Sequence, residues 1–165
     1  MVASHFNPRW FWTEKNIKEI LKLLPEMTPP LFHICSGVSD IGDVRLDRTY
    51  IKDCEEHRTR RGRTHILGDM NKLPFKSGVA GSVICDPPYD YNFTKPELIS
   101  ELVRICKPRG KIVFIAPWIP NHKNITVLNT DLWNVGSNGA YHKIRTMFYK
   151  SNAQLEDYFN GCAEP

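Results

Sequence analysis

The sequence predicts a doubly wound α/β domain: a mostly parallel sheet of seven strands, helices on both faces, and an antiparallel hairpin at one edge. Three observations carry this. Helix-like and strand-like segments mostly alternate along the chain. Most strand candidates are short and apolar, the pattern of strands buried on both faces. The last two strand candidates are joined by the loop Gly136-Ser137-Asn138-Gly139, a hairpin-type connection. A length of 165 residues suits one domain. Its parts are an N-terminal helical and aromatic segment (1–30), a core (31–150) and a tail (151–165).

The elements follow in order. Thr13 to Leu24 reads as a helix, capped by Thr13, with Ile17, Ile20, Leu21 and Leu24 at helical spacing. Pro25 and Pro29-Pro30 end it. Leu31-Phe32-His33-Ile34-Cys35 is an apolar run stopping at a Ser-Gly turn, a buried strand. Asp43 to Asp47 alternates and reads as a second strand, so close behind the first that the intervening helix is shortened or missing. His65-Ile66-Leu67 is a third strand and Gly81 to Cys85 a fourth. The fourth runs into Asp86-Pro87-Pro88-Tyr89, where two prolines forbid continuation in a central strand. Thr94 to Cys106 is an amphipathic helix, broken by Lys107-Pro108-Arg109-Gly110. Lys111 to Ala116, Thr126 to Val135 and Lys143 to Lys150 complete the sheet.

Composition narrows the class. The chain is 41% hydrophobic and 24% charged, as in ordinary globular proteins. No apolar run approaches the roughly 18 residues of a membrane span. The N-terminus lacks the basic and apolar regions of a signal peptide, so a cytoplasmic protein is expected. The five cysteines, Cys35, Cys54, Cys85, Cys106 and Cys162, are odd in number and widely spaced, without a C-x-x-C pair. No disulfide framework or zinc site is expected from them, the lone Cys54-x-x-His57 included. The net charge of +4 favours a polyanionic partner. Its densest cluster, with Arg58, Arg60, Arg61 and Arg63, is either a solvated loop or a contact to phosphates.

Asp86-Pro87-Pro88-Tyr89 carries the most specific chemistry. An exocyclic amine on a nucleobase is a poor nucleophile, because its lone pair is delocalised into the ring. Acceptors for its protons draw that lone pair out. A strand ending in Asp-Pro-Pro offers a carboxylate and a backbone carbonyl released from the sheet ladder. Tyr89, with Tyr91 behind it, offers a face on which an extruded base stacks. The tetrapeptide resembles the D-P-P-Y signature of the class I S-adenosylmethionine-dependent amino-methyltransferases that act on DNA and RNA bases. That resemblance, extending over most of the chain, implies a Rossmann-like sheet and S-adenosylmethionine as cofactor.

Three further segments are similar to the family's cofactor motifs. Cys35, Ser36, Gly37 and Gly42 lie in a loop leaving a strand, where glycines let the backbone approach a ligand. Asp47 matches the acidic residue that bonds the cofactor ribose; with a different strand assignment that role passes to Asp53 or Glu55, and a surface salt bridge is the plain alternative. Asp69 and Met70, ahead of Leu73-Pro74-Phe75, match the pair that meets the adenine, and Asp69 also suits a simple turn. Lys107 to Gly110 resembles the family's K-P-G-G turn, and the aromatic stretch His5 to Trp12 either closes over the cofactor or serves as core.

The resemblance implies methyl transfer to an extruded base stacked on Tyr89, with Asp86 and the Pro87 carbonyl accepting the amino protons and no metal required. The order of motifs favours DNA adenine N6, with RNA adenine N6 or guanine N2 next. The sheet consumes most of the chain after Tyr89, so base readout falls to short loops, a partner subunit or a homodimer. A catalytically silent subunit binding nucleic acid or a partner enzyme is the reading from another class.

Overall fold

The computed structural model describes residues 12, 14–37, 39–48, 64–88, 96–135 and 141–151. Helix α1 covers Glu14–Leu23 and continues into a 3-10 turn at Leu24–Glu26. Glu14 in its first turn and Lys22 in its last complement the helix dipole. The strands are β1 (Leu31–Ile34), β2 (Val44–Asp47), β3 (Thr64–Leu67), β4 (Ala80–Cys85), β5 (Cys106–Ala116), β6 (Ile125–Val135) and β7 (Tyr141–Lys150). Helix α2, Pro96–Ile105, lies between β4 and β5.

The seven strands form one sheet in the order β3-β2-β1-β4-β5-β7-β6. The five from β3 to β5 are mutually parallel. Strand β7 runs antiparallel to both β5 and β6, so it alone is reversed. The expected mostly parallel sheet with an antiparallel edge is therefore present.

No helix stands between β1 and β2 among the described residues; residues 35–43 make the crossover alone. Geometry explains how. A strand of four residues is roughly 13 Å long, and nine extended residues span up to roughly 30 Å. The loop can therefore run back beside β1 and enter β2 in parallel, Asp43 N donating to Leu31 O at 2.8 Å on the way.

Strand β5 starts at Cys106, earlier than the expected Lys111. Lys107 to Gly110 form an irregularity inside the strand, the register jumping from Ala80↔Cys106 to Ser82↔Lys111. Arg109 sits there at φ 61°. The turn expected from Lys-Pro-Arg-Gly exists, but the chain rejoins the same neighbour, so the strand spans it.

Packing covers the two faces unequally. On one face Phe32, Ile34, Val83, Cys85, Ile112 and Phe114 pack under Leu98, Ile99, Leu102 and Val103 of α2. On the other, Leu31, Ile84, Val113, Ile115 and Trp133 meet Ile20 of α1. The apolar stripe of α1 is only half used: Ile20 is buried, but Ile17 and Leu21 remain 38% and 46% exposed. They border a cavity of about 530 Å³ that also touches Leu24, Met27, Leu31 and Ile41. No helix among the described residues is long and apolar enough to cross a membrane.

Candidate active site

Because β1 to β4 are parallel, their carboxyl ends meet at one edge of the sheet. Strand order reverses between β1 and β4, and open α/β sheets bind ligands outside such a switch point. Most of the candidate residues gather here.

Beyond β1, Cys35 and Gly37 both adopt positive φ, 58° and 50°. Ser36 N donates to Leu46 O at 3.1 Å, and Gly37 N donates to Asp47 Oδ2 at 2.8 Å. Gly68 N donates to Asp47 O at 3.0 Å, tying the end of β3 to the same residue. Asp47 thus joins three strand ends. A Cβ placed on Gly37 would meet nothing within 4 Å, so open space lies on its outer side. The Ser36 hydroxyl is buried without a partner among the described residues.

Asp69 is exposed and builds its own turn: Asp69 Oδ1 accepts from Asn71 N at 2.9 Å and from Asn71 Nδ2 at 3.1 Å. Met70 comes back over β1, its Sδ 3.3 Å from Cys35 Sγ. Burial pushes the Cys85 thiol, the last residue of β4, well above the usual thiol range, and the adjacent Cys35 thiol adds to this.

Asp86 follows Cys85 directly and is half-buried; Pro87 is buried and Pro88 exposed. Trp12 Nε1 donates to Asp86 Oδ2 at 2.7 Å, from 74 positions away in the chain. The Trp12 ring stacks on His33 of β1 at 5.0 Å and lies tilted on Trp133 of β6 at 5.7 Å. His33 is buried, and burial lowers its pKa to about 4, against the opposing pull of the Ile41 carbonyl and Asp86. His33 Nδ1 lies 3.1 Å from Ile41 O. A carbonyl only accepts, so the neutral ring carries its proton on Nδ1, and Nε2 is a buried acceptor without a partner among the described residues.

The structure therefore brings Cys35, Ser36, Gly37, Asp47, Asp69, Met70 and Asp86 to one edge. It does not bring Gly42 there. Gly42, at φ 104°, lies against β1 itself, where an added Cβ would stand 3.1 Å from His33 Cβ and 3.3 Å from Leu31 O. Its glycine character serves the close return of the helix-free crossover. Tyr89, Tyr91, Asp53, Glu55, Arg58, Arg60, Arg61 and Arg63 lie outside the described residues. Sequence reasoning missed His33 and the Trp12 contact. A histidine inside the apolar run Leu31 to Ile34 was the available signal for the first; nothing local linked Trp12 to Asp86.

No protein-family model and no curated protein matches the chain. Solved structures do. The N-methyltransferase NodS from Bradyrhizobium japonicum, in complex with S-adenosylhomocysteine, superposes with a TM-score of 0.64 at 9% identity, over 82% of this chain and 86% of that one. A candidate methyltransferase from Bacillus halodurans gives 0.61 at 10% identity, over 82% of this chain and 100% of that one. The Haloferax volcanii complex between the Trm112 methyltransferase activator and a candidate methyltransferase gives 0.59 at 12% identity, over 81% and 89%. The chain has the Rossmann-like fold that these methyltransferase structures share.

Proposed function

We propose that this chain is an S-adenosylmethionine-dependent methyltransferase acting on an exocyclic amino group of a nucleic-acid base, with adenine N6 of DNA as the favoured target. One observation carries the reading. The Asp86 carboxylate, followed by Pro87-Pro88, stands at the carboxyl end of β4 beside the switch point, on the edge where β1 to β3 present Gly37, Asp47 and Asp69.

The residues present suit the cofactor. The open space at Gly37 admits a ligand against the backbone, and the Ser36 hydroxyl, without a partner among the described residues, is a donor beside it. Asp47 is the acidic residue at the end of β2 that would take the ribose hydroxyls, and Asp69 with Met70 would meet the adenine. When bound, the cofactor supplies an electrophilic methyl group on a sulfonium sulfur. The chain's own task is to activate and orient the amine. Asp86 and the Pro87 carbonyl accept the amino protons, which returns lone-pair density to the nitrogen, and Tyr89 offers its ring to the base. Proximity and charge placement then supply the rate.

The D-P-P-Y sequence favours a planar amine over a small aliphatic one, and the order of motifs favours DNA. The Haloferax volcanii complex, a methyltransferase with its activator, is consistent with a partner subunit here. The test is transfer of label from methyl-tritiated S-adenosylmethionine to unmethylated DNA and to unmodified RNA, side by side. Label is expected in DNA, and Asp86→Ala is expected to lower the rate roughly a hundredfold or more. Label in RNA alone reassigns the substrate. An Asp86→Ala protein with wild-type turnover refutes the assignment.

A further inference from the structure

The Trp12–Asp86 hydrogen bond calls for an explanation beyond packing. A carboxylate at the end of a strand, ahead of two prolines, can take several rotamers about its own χ1. An acceptor that activates an amine must present its lone pairs in one direction. We propose that Trp12 is a positioning residue, whose indole N–H holds the Asp86 carboxylate in the orientation that receives the target amine. This rests on the reading of Asp86 given above.

Trp12 is itself held. Its ring lies on the buried His33 ring of β1 at 5.0 Å, nearly parallel at 23°, and against the buried Trp133 of β6 at 5.7 Å. His33 is fixed in turn by Ile41 O, a carbonyl of the crossover loop, at 3.1 Å. The half-buried indole thus packs against the core of the α1 face, with its N–H 2.7 Å from Asp86 Oδ2. Hydrogen bonds to a charged acceptor are short and strong, and this one has that length. An ionised carboxylate accepts about four hydrogen bonds, so the indole on Oδ2 is compatible with a second donor from the substrate. The N-terminal segment thereby sets the catalytic carboxylate through a contact that the strand-end motif does not contain.

Trp12→Phe keeps a ring between His33 and Trp133 and deletes the donor. The expected result is a kcat for methyl transfer to DNA lowered roughly tenfold, with S-adenosylmethionine affinity by calorimetry and KM for DNA within about twofold of wild type. In an Asp86→Ala background the same substitution is expected to cost nothing more, because the group it orients has been removed. Trp12→His, which keeps a ring N–H, is expected to recover part of the rate. It also carries the test against Trp12→Leu at matched melting temperature, should the Phe protein unfold. Wild-type kcat in Trp12→Phe, a raised kcat, an equal further loss in the Asp86→Ala background, or equal rates in the His and Leu proteins would each overturn the proposal. If Asp86→Ala itself turns over at the wild-type rate, or if wild type transfers no methyl, the underlying function fails and this inference with it. If Asp86→Ala is impaired and Trp12→Phe is not, only the inference fails.

Discussion

Gly37→Ala separates the cofactor site from the fold. The residue sits at φ 50°, and a Cβ there meets nothing within 4 Å. The folded state therefore bears only the left-handed backbone cost of alanine, roughly 1–2 kcal/mol. For a chain of this length, each kcal/mol moves the melting temperature by about 2–4 °C. A fall of roughly 2–8 °C is expected, leaving the protein folded at room temperature. The Gly37 N–H still reaches Asp47 Oδ2, since a side chain leaves the amide in place. The new methyl stands in the open space at the end of β1, where the cofactor is proposed to lie. Its affinity is expected to fall at least tenfold, a loss of about 1.4 kcal/mol or more. Calorimetric titration with S-adenosylmethionine, beside thermal melts, reads both quantities. Gly78→Ala is the matched control. Gly78 has φ 66° and nothing within 4 Å of an added Cβ, but it lies in the loop before β4, its N–H bonded to Arg104 O at 3.0 Å. It should melt as early as Gly37→Ala and bind like wild type. A Gly37→Ala protein that binds with wild-type affinity refutes the placement of the cofactor.

Two further predictions concern the fold that supports the site. Gly81→Ala would place a Cβ 2.3 Å from Pro29 O and 2.4 Å from Thr28 O, both backbone atoms that cannot swing away. Destabilisation of about 3 kcal/mol or more is expected by urea unfolding, and a midpoint unchanged from wild type would show that the approach relaxes freely. His33 supplies a pH dependence. Its folded pKa, about 4, lies below the ordinary 6.5 because burial disfavours the charged ring. The unfolded chain therefore takes up the proton first as pH falls, and stability drops between about pH 6.5 and 4, by about 3 kcal/mol in all. His33→Phe should flatten that part of a melting-temperature profile; an equally steep profile in the variant would assign the slope to other groups.

Much of the architecture was legible from local signals. Short apolar runs marked the buried strands, Pro87-Pro88 marked the end of β4, and the short gap between the first two strand candidates pointed to a crossover helix that is shortened or missing. Asp47 ends the alternating segment Asp43 to Asp47 and Asp69 follows His65-Ile66-Leu67 by one glycine, and parallel strands deliver residues so placed to one edge. The boundaries that shifted did so for tertiary reasons. Lys107 to Gly110 belong to β5 because the chain on both sides of them pairs with β4, a fact absent from their own sequence. Half of the apolar stripe of α1 stays exposed, because periodicity predicts an apolar face and not the neighbour that would cover it.

Local sequence by itself determined the strand-end chemistry: which residue types sit where a buried strand stops is written in consecutive positions. Only the tertiary structure decided which of those residues meet. It separated Gly42 from Gly37, since a nine-residue return must press one glycine against β1 while the other faces the open edge. It also put the Trp12 indole on Asp86 across 74 positions, through a stack on a histidine in another strand. Contacts of that separation depend on how strands are ordered in the sheet, and hydrophobic periodicity carries no information about strand order.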